Sequence, residues 1–406
     1  MKNLLFILLL MSIDVSAQHG FPTGHWCNTE QGWASKRCRA IAGLKTPEQS
    51  KVITIPHRGY WGAPGKPECS LQAIIDAYNQ NYMFIEADIV LTKDSVLVLM
   101  HDQQTNRQLN TPIVFDTDGS MRDNGAFVRS MNYWTTSPGV PDDLGREYDP
   151  FPKLQNSKYK DRYDNVTTMS LNTFDELIDW LKNKEAVITI DIKTGNLNDQ
   201  VMKNEYMKTI RLCLQKGKQK GVLHQLIFKP GSSGQVTIPE LQAYLTSYGI
   251  WNDFSNLTNV ILINIIGGSF PLATNKAYLD AWYALPSLVG VELIYKTNDD
   301  ELLQPKAEFG NKSIVRYTQD KGFRTGVFHN IPTNKYGSAG GRGNYFNPPN
   351  LGTLSDLRGS MEFLFGTPPV GIKVPGMLVT DNPDEDMAIL GLFNMNSQYT
   401  KRTNPY

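Results

Sequence analysis

The feature that most constrains the fold of this 406-residue chain is an eightfold alternation of short apolar runs with longer amphipathic stretches. The runs are rich in Val, Ile and Leu and mostly do not alternate with polar residues, which is typical of parallel strands covered on both faces. They occupy residues 52–56, 84–91, 186–192, 225–228, 260–266, 288–295, 325–331 and 377–380. Helix-compatible stretches occupy residues 70–82, 171–183, 200–221, 239–248, 274–285, 298–320 and 353–365. The pattern predicts an α/β fold, a single (β/α)8 TIM barrel over residues 51–390.

One interval interrupts this alternation of apolar runs and amphipathic stretches. Residues 103–170 are rich in Asn, Asp, Thr, Ser, Gly and Pro, with aromatic residues such as Trp134 among them. Because so long a stretch without apolar periodicity is unusual in a compact domain, we expect an insertion after the second strand, over one mouth of the barrel. A short run at 96–100 precedes it and is predicted to pair with the second strand as a hairpin. Residues 391–406 are predicted to form a C-terminal tail.

The N-terminus has the plan of a signal peptide. Lys2 precedes a short apolar run at residues 4–11, and the small residues at Val15 and Ala17 suit signal peptidase. We therefore expect residues 1–17 to be removed, residues 18–50 to form an N-terminal extension, and the protein to be periplasmic or secreted. No later segment reaches about 18 apolar residues, so no transmembrane segment is predicted.

Charge and cysteine content narrow the classes of function. The chain has 40 Lys and Arg against 40 Asp and Glu, with no basic run, which argues against a nucleic-acid partner. Cys27 and Cys38 are close enough in sequence to bridge in an oxidising compartment, but spacing alone leaves that pairing open. Cys69 and Cys213 are expected to be buried thiols. The oligomeric state is not predicted.

Polar residues gather at the C-terminal ends of the predicted strands, where the active sites of such barrels lie. Glu86 and Asp88 are two residues apart, so both side chains point to the same face of one strand. Inside a barrel two carboxylates repel each other unless a positive charge neutralises them. A hard divalent cation would do so, with Asp191 on the next barrel strand as the third ligand. The alternative is a structural network in which these carboxylates pair with Arg58 and Lys193.

Two histidines flank the carboxylates in sequence. His57 ends the first run, and His101 follows the short run after the second. Because the imidazole pKa lies near neutrality, such a pair can share general base and general acid work. The sequence does not decide which histidine is the base, although we favour His57. His329 is a candidate for substrate contact, whereas His25 and His224 are expected to have no catalytic role.

The chain resembles the glycerophosphodiester phosphodiesterase family at these residues. The matching segments are His57-Arg58-Gly59, Pro67-Glu68, Ile85-Glu86-Ala87-Asp88, Thr92-Lys93-Asp94, His101-Asp102, Ile190-Asp191-Ile192-Lys193 and Thr380-Asp381-Asn382-Pro383. Two positions depart from the family pattern. Cys69 stands where the family usually has Asn, and Asp191 stands where it usually has Glu.

The resemblance implies a metal-dependent barrel enzyme that hydrolyses glycerophosphodiesters to an alcohol and glycerol phosphate. It implies His57 and His101 as the acid–base pair, and Arg58 and Lys193 as contacts to the substrate phosphate. It implies a divalent cation, Ca²⁺ or Mg²⁺, on the ligands Glu86, Asp88 and Asp191. The expected substrate is a small-molecule or lipid phosphodiester, which leaves contact with a membrane surface open.

Three other functions remain at this point. Asp191-Ile192-Lys193-Thr194-Gly195 also resembles the sphingomyelinase D-like phospholipases, which would act on lysophospholipids or sphingolipids and give a cyclic phosphate. A glycosidase would use Glu86 and Asp191 as its catalytic carboxylates but would give neither histidine a role. A protein that only binds a phosphorylated ligand would not need the histidines. Trp134 and its aromatic neighbours could form a wall for the alcohol headgroup or could simply pack the insertion.

Overall fold

The structure is a computed structural model, which carries no ligand. It describes residues 20–45, 51–105, 107–110, 127–134, 153–195, 199–230, 236–265, 275–329, 357–358, 360–366 and 371–403. The predicted signal peptide lies outside these residues and stays a prediction. No helix among the described residues is long and apolar enough to span a membrane.

Eight parallel strands and one antiparallel strand form the main sheet of the described chain. The strands are β1 Ile53–Pro56, β2 Phe84–Leu91, β3 Leu97–Leu99, β4 Lys158–Lys160, β5 Val166–Ser170, β6 Val187–Ile192, β7 Leu226–Lys229, β8 Asn259–Ile265, β9 Leu288–Ile294, β10 Thr325–His329 and β11 Met377–Thr380. The sheet order is β1-β11-β10-β9-β8-β7-β6-β2-β3, and β4 pairs with β5 separately. All eight predicted strands are confirmed, as is the antiparallel pairing of β2 with β3.

The strand order shows how the sheet curls. From β2 the parallel strands follow one another in chain order to β11, and β11 then pairs with β1. Backbone and side-chain contacts between residues just after β1 and the middle of β2 bring the two ends of this series together. The architecture is therefore a curled, TIM-barrel-like α/β sheet, in agreement with the predicted fold class.

Ten α-helices lie in the described chain. They are α1 Glu30–Ala34, α2 Lys36–Lys45, α3 Leu71–Asn79, α4 Phe174–Leu181, α5 Gln200–Lys220, α6 Ile238–Ser247, α7 Lys276–Tyr283, α8 Ile314–Asp320, α9 Met361–Phe365 and α10 Pro383–Leu392. Local sequence explains several starts. Thr173 and Thr237 each form a capping box with the Glu three residues later, which satisfies the first free amides of α4 and α6.

One predicted helix is wrong in extent. The helix expected over 298–320 is confined to Ile314–Asp320, where Ser313 caps the first turn. Pro305 precedes a short 3₁₀ turn, and Gly310 follows that turn in the left-handed conformation, with φ of 69°. Because proline removes a helical donor and a left-handed residue ends a helical turn, the segment before Ser313 cannot continue the helix.

The N-terminal extension closes the N-terminal end of the curled sheet. Apolar residues of α1 and α2 pack in one cluster with inward-facing residues such as Ile53, Phe84 and Val187, which begin their strands. A disulfide joins Cys27 to Cys38, with Cα atoms 5.4 Å apart, so this pairing, left open by the sequence, is confirmed. The second large cluster lies between the outer helices and the sheet.

Described parts of the interval 103–170 pack against β2 and β3. Leu109, Val128, Tyr159 and neighbouring apolar residues form a third cluster on this side. The Tyr159 hydroxyl, fully buried, donates a hydrogen bond to the Leu99 carbonyl at 2.7 Å. Residues 111–126 and 135–152 lie outside the described residues. The position of the insertion over one mouth of the barrel therefore stays a prediction.

Candidate active site

His57 follows β1 directly and is fixed on both ring nitrogens. Its backbone amide donates to the Thr380 carbonyl at 2.8 Å, which extends the pairing of β1 with β11. Its Nδ1 lies 2.6 Å from Asp381 Oδ1, and its Nε2 lies 3.3 Å from Glu86 Oε2. The ring is buried and packs edge-on against Phe328. The two carboxylates thus fix the orientation of the ring.

Arg58 adopts the left-handed backbone conformation, with φ of 58°. This turn lets its amide donate to Glu86 Oε2 at 3.2 Å while its side chain reaches towards the sheet. One guanidinium nitrogen donates to Glu68 Oε2 at 2.8 Å, and Nε lies 3.5 Å from Asp88 Oδ2. The predicted phosphate contact is therefore buried and already bonded to carboxylates.

The three predicted metal ligands lie on neighbouring strands. Glu86 and Asp88 are buried side chains on the same face of β2. Asp88 is the register partner of Asp191 on the adjacent strand β6. Burial alone would raise the pKa of Asp88, but Lys193 and His101 outweigh that effect and hold its pKa well below the usual range. Asp88 thus keeps its negative charge.

Two lysines lie among these carboxylates, Lys229 buried and Lys193 partly buried. Lys193 Nζ is 2.6 Å from Asp191 Oδ2 and 3.2 Å from Asp88 Oδ1. Lys229 Nζ, at the end of β7, is 2.5 Å from Glu86 Oε1 and 3.0 Å from an oxygen of Glu292 on β9. Burial opposes the charge of both lysines, yet the carboxylates raise the pKa of each. The ion pairs that a structural network would contain are therefore present.

His101 occupies the other side of the carboxylates and is held by its neighbour in sequence. Its Nδ1 lies 2.7 Å from Asp102 Oδ1, and its amide donates to the Gln108 side chain at 3.1 Å. Burial is the largest influence on this histidine and lowers its pKa, and the positive charges of Arg58 and Lys193 lower it further. The neutral imidazole is thus favoured.

Arg107 joins the two halves of the site. Its guanidinium pairs with both oxygens of Asp102, at 2.5 and 2.8 Å, and with Glu68, the partner of Arg58. Burial would raise the pKa of Glu68, but Arg107 and Arg58 lower it to about 2. A continuous chain of charges therefore runs from His101 to Arg58.

The residues present have donor chemistry that suits a hard cation. Among the described residues, no group of three or more His, Cys, Asp or Glu side chains is arranged to hold a metal ion. However, Asp88 Oδ1 is buried and accepts no hydrogen bond from the described part of the chain. Burial raises the pKa of Glu292. Even without Glu292, the carboxylates of this network outnumber its permanent cations: Glu68, Glu86, Asp88, Asp102, Asp191 and Asp381 against Arg58, Arg107, Lys193 and Lys229. Since buried negative charge needs compensation, this excess favours a further cation, which would share oxygens with Lys193 and Lys229.

Sequence reasoning assigned no role to several residues of this site. Asp381 and Glu68 lie in segments that match the family, Thr380-Asp381-Asn382-Pro383 and Pro67-Glu68. Those segments could have indicated that both residues belong to the site. Lys229 lies one residue beyond the predicted strand 225–228, as expected for a residue that ends a barrel strand. Glu292 lies inside an apolar run and Arg107 in an aperiodic interval, and neither position gave a local signal.

Two further candidates from the sequence lie elsewhere. His329 is buried with Nδ1 2.7 Å from Asp386 Oδ2, on α10. Because Phe328 faces His57, the next residue on the strand faces the outer helices instead. Trp134 is 55% exposed and stacks edge-on against Tyr133, so its role as a headgroup wall stays a prediction.

The family comparison bears directly on this arrangement. Residues 57–233, which contain both catalytic histidine candidates and all three carboxylates, match the glycerophosphoryl diester phosphodiesterase family. The matched segment belongs to that family. The chain is thus an enzyme of the phosphoric diester hydrolase class, of the glycerophosphodiester phosphodiesterase type. A search of curated proteins found no match.

Three solved structures are similar to this phosphodiesterase at low sequence identity. A glycerophosphoryl diester phosphodiesterase from Silicibacter pomeroyi is 13% identical, with a TM-score of 0.51, 88% of this chain covered and 99% of that chain. A glycerophosphodiester phosphodiesterase from Parabacteroides distasonis is 15% identical, with a TM-score of 0.47, 85% of this chain covered and 99% of that one. An Oleispira antarctica phosphodiesterase in complex with the product sn-glycerol-3-phosphate is 12% identical, with a TM-score of 0.46 and coverage of 85% and 97%. The first of these likenesses supports the fold.

Proposed function

We propose that this phosphodiesterase hydrolyses glycerophosphodiesters to an alcohol and glycerol phosphate, using a divalent cation and two histidines. The observation that carries the proposal is a pair of imidazoles held in the same way, with His57 buried and His101 partly buried. Each has Nδ1 bonded to a carboxylate, Asp381 for His57 and Asp102 for His101, and the predicted ligands lie between them. In His101 an Nδ1–H that donates to Asp102 leaves Nε2 to exchange a proton with the substrate, whereas His57 Nε2 lies 3.3 Å from Glu86 Oε2.

The surroundings of the two rings suggest how the work is divided. His101 has a lowered pKa and is the better general base, because it is neutral at neutral pH. His57, between Asp381 and Glu86, is then the general acid that donates to the leaving alkoxide. This assignment reverses the preference drawn from the sequence. When bound, a divalent cation on Glu86, Asp88 and Asp191 would offset the charge that grows on the phosphoryl oxygens.

The test uses the whole chain with glycerophosphodiesters that carry choline, ethanolamine or glycerol headgroups, and with lysophospholipids for comparison. We expect release of glycerol phosphate in Mg²⁺ or Ca²⁺, its loss in EDTA, and its return when the cation is restored. Phosphorus NMR separates linear from cyclic phosphate, so it also distinguishes hydrolysis from the sphingomyelinase D-like reaction. Turnover that resists EDTA, or no turnover of any headgroup with cation supplied, would contradict the proposal.

We also propose that the enzyme is exported. The signal-peptide pattern of residues 1–17 supports this, and the Cys27–Cys38 disulfide is of a kind that persists in oxidising compartments. N-terminal sequencing of the protein recovered from its own host is expected to begin at Gln18. Recovery from the reducing cytoplasm with Met1 intact would overturn it.

A further inference from the structure

We infer that Cys69 is a positioning residue for Asp88, and that its thiol fixes one carboxylate oxygen so that the other is presented to the cation. The inference rests on the proposed function, because it assumes a divalent cation at Asp88. It goes beyond that function by assigning a role to a residue that replaces the asparagine usual at this position.

The two oxygens of Asp88 have different partners. Cys69 Sγ donates to Oδ2 at 3.0 Å, and Arg58 Nε lies 3.5 Å from the same oxygen. Oδ1 accepts no hydrogen bond from the described residues and faces Lys193 Nζ at 3.2 Å. Asp88 and Cys69 are both fully buried, so water does not replace these contacts. The thiol and the guanidinium together therefore set the rotation of the carboxylate about its axis.

The backbone on both sides of this contact is strained. Arg58 and Cys69 have φ of 58° and 59°, a conformation in which side chains other than glycine are strained. The Cys69 amide donates to the Arg58 carbonyl at 3.0 Å, so the two strained residues hold each other in place. Ser70, the next residue, caps α3 by accepting from the Ala73 amide. Position 69 is thus anchored on both sides, and its side chain has one direction in which to point.

Strain of this kind tends to be kept where it serves a function. Glycine would relieve it but would have no donor for Asp88. A second buried thiol, Cys213 on α5, packs among apolar residues in the helix layer away from Asp88. It provides a matched control for the loss of a buried thiol.

The experiment compares Cys69→Ser, Cys69→Ala and Cys69→Gly with Cys213→Ser and the wild type. Isothermal titration calorimetry with MgCl₂ or CaCl₂ measures cation affinity without substrate, and steady-state kinetics gives kcat and KM. Serine keeps a donor, so its affinity is expected within about threefold of the wild type, as for Cys213→Ser. Alanine and glycine are expected to bind the cation about 10–100-fold more weakly, with a larger fall in kcat than rise in KM.

Two outcomes would overturn the inference while leaving the proposed function intact. One is wild-type cation affinity in Cys69→Gly, which is expected to fold because glycine relieves the strain. The other is an equal loss in Cys69→Ser and Cys69→Ala, which would mean that packing rather than the donor matters. A wild-type protein that turns over substrate yet binds no cation would instead overturn the cation proposal, and this inference with it.

Discussion

The two ends of the curled sheet each hold a pair of histidines, and the surroundings of the two pairs differ. At the C-terminal end, His57 and His101 each have Nδ1 bonded to a carboxylate. At the N-terminal end, His25 and His224 stack on Phe21 and Trp26. Within the described chain their Nε2 atoms have no hydrogen-bond partner. Burial lowers the pKa of His25 to about 4 and that of His224 to about 3.

The difference shows that burial alone does not decide what a histidine does. A carboxylate on Nδ1 orients the ring, whereas an aromatic stack without an acceptor for Nε2 keeps the ring neutral. The charged side chains and the strained residues lie at the C-terminal end of the sheet. The apolar packing and the disulfide lie at its N-terminal end. We therefore expect substitutions at the first end to change turnover and those at the second to change stability.

The largest effect is expected from His101→Asn. The loss of the proton-transferring nitrogen should lower kcat by about 10²–10⁴-fold, while the thermal midpoint changes little. The matched control is His25→Asn at the other end, which should retain wild-type kcat at pH 7.5. Equal turnover in the two variants would remove the distinction between the histidine pairs.

Removal of the disulfide tests the opposite end. Cys27 and Cys38 close a short loop, so the double serine variant should lose about 2–4 kcal/mol of unfolding free energy, measured by urea denaturation. Its kcat at 20 °C should stay near that of the wild type. A variant of unchanged stability but reduced kcat would contradict the proposed division of roles.

Asp191→Asn is expected to have a smaller effect that is confined to the charged end. The amide keeps the shape of the side chain but loses the charge that pairs with Lys193 and that would ligate the proposed cation. Cation affinity in a calorimetric titration should fall by about 10–100-fold. An unchanged affinity would exclude Asp191 as a ligand.

The smallest effect is a pH dependence of stability. His25 has a pKa of about 4 when folded and about 6.5 when unfolded, so protonation favours the unfolded state. Stability is complete above pH 6.5 and falls as the pH drops towards 4, by about 1–2 kcal/mol at pH 5. Asparagine can still accept from the Cys27 amide, as Nδ1 does, so His25→Asn should flatten this loss in pH-dependent denaturation. An unchanged slope would refute the contribution of His25.

The features that could be predicted from the sequence are those that depend on local patterns of residues. Apolar runs located all eight parallel strands, and their polar ends located Glu86, Asp88 and Asp191, because strand periodicity fixes which side chains share a face. Long-range partners could not be found in this way. Glu292 lies in an apolar run and meets Lys229 only because their strands stand near each other in the sheet. The helix predicted over 298–320 was too long because the apolar periodicity was given more weight than the helix-ending residues Pro305 and Gly310.

Arg107 has a consequence that extends beyond its ion pairs. It comes from the interval between β3 and β4, yet one guanidinium contacts the carboxylate partners of both His101 and Arg58. A displacement of this loop would therefore disturb His101, the proposed base, and the turn at Arg58 at the same time. Swapping the loop for that of a relative would exchange part of the proton-transfer apparatus along with any preference for headgroup.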